Sequence, residues 1–162
     1  MTIHIPPPPD GYRPCVGILL LDRSGAIFAG ERIDTPGAWQ MPQGGIDEGE
    51  SATDAVFREL KEETGIETAE LLDISDTWRS YDLPPALAAT AWNGRFRGQA
   101  QLWSALRFKG TPDDIDIRTD HPEFRRWKWT DAETLLAEIV DFKRDLYADV
   151  LAEFQKYLNR SA

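Results

Sequence analysis

Two apolar runs, Val16 to Leu21 and Ala26 to Ala29, flank Asp22-Arg23-Ser24-Gly25. That pattern predicts a hairpin of two short strands with glycine supplying the positive φ of the turn. Trp39 to Met41 predicts another short strand, which Pro42-Gln43-Gly44-Gly45 breaks into a loop running to Gly49. The period then changes. Ser51 is a candidate N-cap with Asp54 three residues on, Val56 and Leu60 lie one turn apart, and Gly65 stands where a terminating glycine belongs, so a helix is predicted over roughly 52 to 64. Ser75 to Tyr81, Gln101 to Phe108 and Phe124 to Trp129 are aromatic-rich and bounded by Pro, Gly or Asp clusters, as strands usually are. Leu83 to Gly98 reads as a long loop. Thr130 with Glu133 gives a capping-box pattern that opens a helix, and Leu146, Val150, Phe154 and Leu158 recur every fourth residue, which predicts a second one over 143 to 158. With no repeat and no internal linker, the pattern describes an α/β fold with a mixed sheet flanked by helices.

Composition narrows this to one unit. A chain of 162 residues with 41% hydrophobic residues and six tryptophans has material for a single core. Pro6 to Pro9 favour an extended polyproline stub over residues 1–10, ahead of a domain over 11–160. The lone Cys15 cannot build a disulfide framework, and neither a secretory leader nor a membrane span is visible, so the expectation is a soluble protein of a reducing cytoplasm. The net charge of −10 argues against a broad basic surface for nucleic acid, and DNA is not expected as a partner. It does not argue against a phosphate substrate, because an acidic site loaded with divalent metal presents positive charge.

Glu59, Glu62 and Glu63 project from one face of the predicted helix, since positions i, i+3 and i+4 are neighbours. Val56, Phe57 and Leu60 occupy the adjoining arc and would anchor the helix to the sheet, holding the acidic stripe at the edge of the core. Carboxylates held this close repel, and hard divalent cations offset that cost. Taken alone, Glu62-Glu63 is an ordinary solvated pair. The array around it is not ordinary: Gly44, Glu50, Arg58, Glu59, Glu62, Glu63 and Gly65 stand at the spacing G-x5-E-x7-R-E-U-x-E-E-x-G-U, with Leu60 and Ile66 at the apolar positions.

This array resembles the Nudix signature without a departure. The resemblance implies a Nudix-type α/β/α sandwich and hydrolysis of a nucleoside-linked pyrophosphate bond. It makes Glu59, Glu62 and Glu63 the metal-binding carboxylates, with the Gly44 carbonyl as a further ligand and Mg2+ or Mn2+ as the metal. Glu50 and Arg58 are expected to pair and pin the loop to the helix, and Gly65 to end the helix, so these three are scaffold. Cys15, His4 and His121 offer no covalent route, which leaves direct attack by activated water.

The flanks extend the likeness: Gly11-Tyr12-Arg13-Pro14, Trp39 to Gly45, Tyr81-Asp82-Leu83-Pro84, Gly98-Gln99-Ala100-Gln101, Pro122-Glu123-Phe124 and Val140 to Arg144. Together they look like two related groups within the family, bacterial RNA pyrophosphohydrolases and asymmetric diadenosine tetraphosphate hydrolases. The implied substrate is 5′-triphosphorylated RNA or a dinucleoside polyphosphate; a catalytically silent nucleotide-binding module is the remaining alternative. By the same likeness Arg13, Tyr81 and Lys143 contact the polyphosphate, Arg32 and Phe142 clamp a base, Gln43 adjoins the metal loop, and Glu123 is a further catalytic carboxylate. Tyr81 and Phe142 read equally well as core, and Trp92 as either a second stacking surface or simple packing.

Overall fold

The computed structural model describes residues 5–158. Its centre is the parallel pair formed by β1 (Tyr12–Leu21) and β7 (Gly98–Phe108), in register from Tyr12 against Gly98 to Leu21 against Arg107. Every other ladder is antiparallel. β2 (Ile27–Arg32) joins β1 through the predicted hairpin and carries β3 (Trp39–Gln40) and β8 (Phe124–Thr130); β5 (Ala69–Ile74) and β6 (Arg79–Asp82) share the far edge of β7. The sheet is therefore mixed, as expected. Alternation along β1 sorts the core into two layers. Val16, Ile18 and Leu20 face a cluster with Val56 and Leu60 of helix α1 (Ala52–Thr64), while Leu19 and Leu21 face one with Leu135 of α3 (Ala132–Glu138) and Tyr147 and Val150 of α4 (Arg144–Glu153). Helices thus cover both faces of the sheet.

Several predicted bounds differ from the structure. Of the strand expected over 75–81 only the end is one, in β6; Ser75 to Trp78 connect it to β5, which lies ahead of the expected span. Ser75 is buried there: its backbone N–H still donates to the Trp103 carbonyl of β7 at 2.9 Å, and its hydroxyl meets Glu153 and Arg79. Ala69 to Ile74 carries no aromatic residue, and its pairing with β7 overrides its weak strand propensity. Within the predicted 42–49 loop, β4 (Gln43–Gly45) pairs with Cys15 to Gly17. The 83–98 loop contains the short helix α2 (Pro85–Ala88) and a tight turn over Ala91–Gly94. Asp131, not Thr130, caps α3 by accepting from the Thr134 N–H at 2.7 Å, because Thr130 is still paired in β8. The predicted 143–158 helix is α4 between 3₁₀ turns at Asp141–Lys143 and Gln155–Tyr157; its stripe of Leu146, Val150 and Phe154 is buried all the same.

Of the proline stub, residues 1–4, and with them His4, lie outside the described residues, as do residues 159 and 160 at the far end of the expected domain. Pro6 is tied down: the Trp78 indole donates to its carbonyl at 2.7 Å. No helix among the described residues is long and apolar enough to cross a membrane.

Candidate active site

Helix α1 begins where Ser51 accepts from the Asp54 N–H and ends where Gly65, at φ 72°, turns its own N–H back to the Lys61 carbonyl. Its apolar arc (Ala55, Val56, Leu60) is buried against the sheet, which fixes the helix about its axis and sets Glu59, Glu62 and Glu63 along one wall of a cleft of about 950 Å³. The preceding loop is clamped by Arg58. Its Nε and Nη2 donate to the two Glu50 carboxylate oxygens at 2.8 Å each, and Nη2 also reaches the Gly45 carbonyl at 2.8 Å. Lysine has no such fork. Gly44 leaves room for the Glu59 carboxylate, which a Cβ there would displace.

The carboxylates of this unit have opposite electrostatic fates. Arg58 and the Asp47 N–H hold the Glu50 carboxyl down at about 2. Burial pushes Glu59 up, against the pull of Arg58. Burial first, then the charges of Glu59, Glu123 and Glu62, push Glu63 well above the usual carboxylate range; the Gln43 N–H, 3.4 Å from its Oε2, offsets this only in part. Glu63 is therefore a buried acid facing like charges. A hard divalent cation suits such a set, since carboxylate and carbonyl oxygens are the donors Mg2+ and Mn2+ take. In the present geometry Arg58 Nη1 reaches Glu59 at 2.9 Å and Glu62 at 3.1 Å, and among the described residues no three metal-ligating side chains are gathered into a cage. The donor chemistry fits the metal; the convergence of side chains that would hold it is not preformed.

Glu123, exposed on the loop before β8, lines the same cleft, as do Thr119, Asp120 and His121. None of the three is among the site residues expected from the sequence, where His121 reads only as an isolated histidine with no covalent role. Arg13 and Arg32 also line this cleft, and Arg13 lies over the Trp92 ring at 5.1 Å. Trp92 and Asn93 both adopt left-handed backbone (φ 48° and 58°), which is strained for a side chain as large as indole.

A smaller cleft of about 260 Å³ adjoins the first and shares Arg32, Gln43, Trp92 and Gln99 with it. Phe142 is half-buried here, 5.8 Å from the Tyr81 ring, and packs against the α3–α4 core layer while lining the cleft. Lys143 is 3% exposed, and burial, then the neighbouring Arg32 charge, lowers its ammonium to about 8. Its Nζ donates to Gln40 Oε1 at 3.3 Å. Arg32 is paired with Asp34 through two bonds, at 2.8 and 2.5 Å. Tyr81 is buried, which raises its phenol, and its hydroxyl donates to Gln99 Oε1 at 2.5 Å.

The structure thus brings every predicted site residue to one of two joined clefts, except that Glu50 and Gly65 stay in the scaffold where they were expected. Sequence reasoning missed Gln40 and Gln99. A signal existed for Gln99: together with Gln101 it places two glutamines on one face of an otherwise apolar strand.

Comparison with known proteins agrees with this architecture. Residues 11–150 match the model of the NUDIX domain. A Cereibacter sphaeroides protein named RNA pyrophosphohydrolase is 54% identical over 150 residues, covering 91% of this chain and 93% of its own length. One of the same name from Rhodospirillum rubrum is 51% identical over 88% of this chain and 86% of its own. Among solved structures, the E. coli dihydroneopterin triphosphate pyrophosphohydrolase aligns with a TM-score of 0.68 at 22% identity, over 88% of this chain and 98% of that one. A C. elegans Ap4A hydrolase complex aligns at 0.63 and 19%, over 89% and 98%; at such identities the likeness concerns the fold alone. With the signature intact on helix α1 and the domain match spanning nearly the whole sheet, the chain belongs to the NUDIX domain family.

Proposed function

We propose that this protein is a divalent-metal-dependent hydrolase that removes pyrophosphate from the 5′-triphosphate end of RNA and leaves a 5′-monophosphate. The observation that carries the reading is the junction of the two clefts: a carboxylate wall runs directly into a pocket with cationic and aromatic walls, the arrangement a polyphosphate with a nucleoside attached demands. Relatives of similar length at about half identity, named for the same activity, support the RNA end as substrate.

Glu59, Glu62, Glu63 and the Gly44 carbonyl would hold Mg2+ or Mn2+, which supplies charge neutralisation on the phosphates and a more acidic water. The chain's own groups do the rest. Arg13 and Lys143 neutralise phosphate oxygens, Arg32 and Phe142 hold a base between a guanidinium plane and a ring, and Gln43 adjoins the loop that would hold the metal. Glu123, which lines the same cleft, takes the proton of the attacking water. Water breaks the anhydride between the α and β phosphates, giving RNA monophosphate and pyrophosphate. The test is a side-by-side measurement of kcat/KM for triphosphorylated RNA and diadenosine tetraphosphate in Mg2+. Preference for RNA is expected. Strong preference for the dinucleotide would make the protein a dinucleoside polyphosphate hydrolase, and absence of metal-dependent release on both would make it a silent binding module.

A further inference from the structure

The polarity of the glutamines between the two clefts can be read from a single donor. The Trp103 indole N–H can only donate, and it donates to Gln101 Oε1 at 3.1 Å. Gln101 Nε2 therefore faces the other way and donates to Gln43 Oε1 at 2.7 Å. Gln43 in turn directs its Nε2 to Gln99 Oε1 at 3.3 Å, an oxygen that also accepts from the Tyr81 hydroxyl at 2.5 Å and from Gln101 Nε2 at 3.4 Å. Three donors on one oxygen fix the Gln99 amide with Oε1 inward and Nε2 outward.

Gln99 is 3% exposed, yet it lines both clefts. Among the described residues its Nε2 donates to none, and Thr119 Oγ1 is the one side-chain atom there that is both sealed from solvent and unpartnered. Gln99 Nε2 is therefore open to the cleft. Its two N–H groups have no lone pair to offer a metal, so the ligand they suit is an acceptor oxygen at the junction of the carboxylate wall and the base pocket.

Building on the polyphosphate reading of the cleft, we propose that Gln99 is a substrate-binding residue whose Nε2–H donates to a non-bridging phosphate oxygen at that junction. Tyr81 then acts one step back. Its single proton is given to Gln99 Oε1, so Tyr81 is a positioning residue for the amide, and the phosphate contact that family resemblance gives its hydroxyl passes to Gln99.

Gln99→Glu tests this cleanly, because one carboxylate oxygen still accepts from Tyr81, Gln43 and Gln101 while the outward donors vanish. For triphosphorylated RNA, KM should rise about tenfold or more, as loss of one hydrogen bond to a charged group implies, with kcat changed by less, both read below a thermal midpoint that the buried carboxylate lowers. A carboxylate would also repel phosphate from a distance, so contact is read directly in wild-type protein. The Gln99 side-chain 15NH2 pair should shift on titration with a methylene-bridged nucleoside triphosphate in Mg2+, and not with the nucleoside alone. An unmoved pair, or an unchanged KM in folded Gln99→Glu, overturns the proposal; if that variant does not fold, the wild-type titration decides. Should wild type release no pyrophosphate, the hydrolase reading fails separately, and the titration still reports whether Gln99 meets phosphate.

Discussion

The two ends of the cleft are built on opposite principles. The carboxylate end comes from one continuous stretch, Gly44 to Ile66, set on a helix whose buried arc and Arg58 clamp leave it little freedom. The base end is assembled from β2, β6, the connection that follows it, β7 and the turn before α4, and its aromatic and cationic groups already have partners: Arg32 has Asp34, Lys143 has Gln40, and Trp92 carries Arg13 from the neighbouring cleft. One end holds three carboxyls of which Arg58 reaches Glu59 and Glu62 while Glu63 faces like charges, a set that a cation would neutralise. The other holds its groups in weak contacts that a substrate can replace. Chemistry common to a family belongs on the first, and discrimination among substrates on the second.

The hardest test of that contrast is Glu63→Gln, with Glu59→Gln beside it. Either should lower kcat on every substrate by more than the roughly 100-fold that loss of an outer-shell metal partner costs. The fold should not suffer. A carboxyl whose folded value is raised is destabilising when ionised at neutral pH, so the thermal midpoint of Glu63→Gln in chelator should equal or exceed wild type. A substrate-dependent loss, or a lowered midpoint, would mean that the carboxylate end also recognises or also supports the fold.

Next in size is the clamp. Arg58→Ala leaves Glu50 without its bidentate partner and should cost about 2–3 kcal/mol, a fall of roughly 4–12 °C in Tm for a domain of this size. Glu50 gives the signature in pH. Its folded value of about 2 lies below the ordinary one, so its contribution is complete above about 4.3 and is lost as pH falls from there through 2. Acid titration of stability in Arg58→Ala should lack that component; an unchanged acid slope would assign the clamp no role in the fold.

This division also explains what could be read from sequence. Helix α1 was legible to its ends because cap, apolar arc and terminating glycine are all local signals within Ser51 to Gly65. The acidic stripe followed from helical geometry alone. The base end is non-local: nothing near Trp92 announces that Arg13 lies over it, and nothing near Lys143 announces Gln40 from a strand 103 residues earlier. Ala69 to Ile74 was missed for a similar reason, being a strand by virtue of β7 rather than of its own residues.

At the base end, Phe142→Ala should weaken substrates that place a base in the clamp by about 1–3 kcal/mol, seen in KM, and should spare inorganic tripolyphosphate. Because Phe142 also packs against the α3–α4 layer, Phe142→Leu is the control: it keeps apolar volume and loses the flat ring. Loss of base-bearing substrates in both variants at unchanged Tm marks a recognition residue. If Phe142→Leu behaves as wild type, the residue is core and the base is held elsewhere.

The smallest effect is the most specific to this chain. Buried Lys143 has its ammonium displaced down to about 8, so in the free protein it is largely charged at pH 7 and largely neutral at pH 9. A polyphosphate binds the charged form, and binding must raise that value. KM should accordingly be flat below 8 and rise about tenfold between pH 7 and 9, following the protonated fraction. The phosphate's own second ionisation, near 6, is complete before that window opens, so the rise belongs to the protein. Lys143→Met supplies the control. Its KM should be raised already at pH 7 and stay level to pH 9, while kcat keeps whatever pH dependence the carboxylate end gives it. A wild-type KM that does not move across this range would place Lys143 outside the phosphate contacts, as a buried cation serving only Gln40 and the ring of Tyr81.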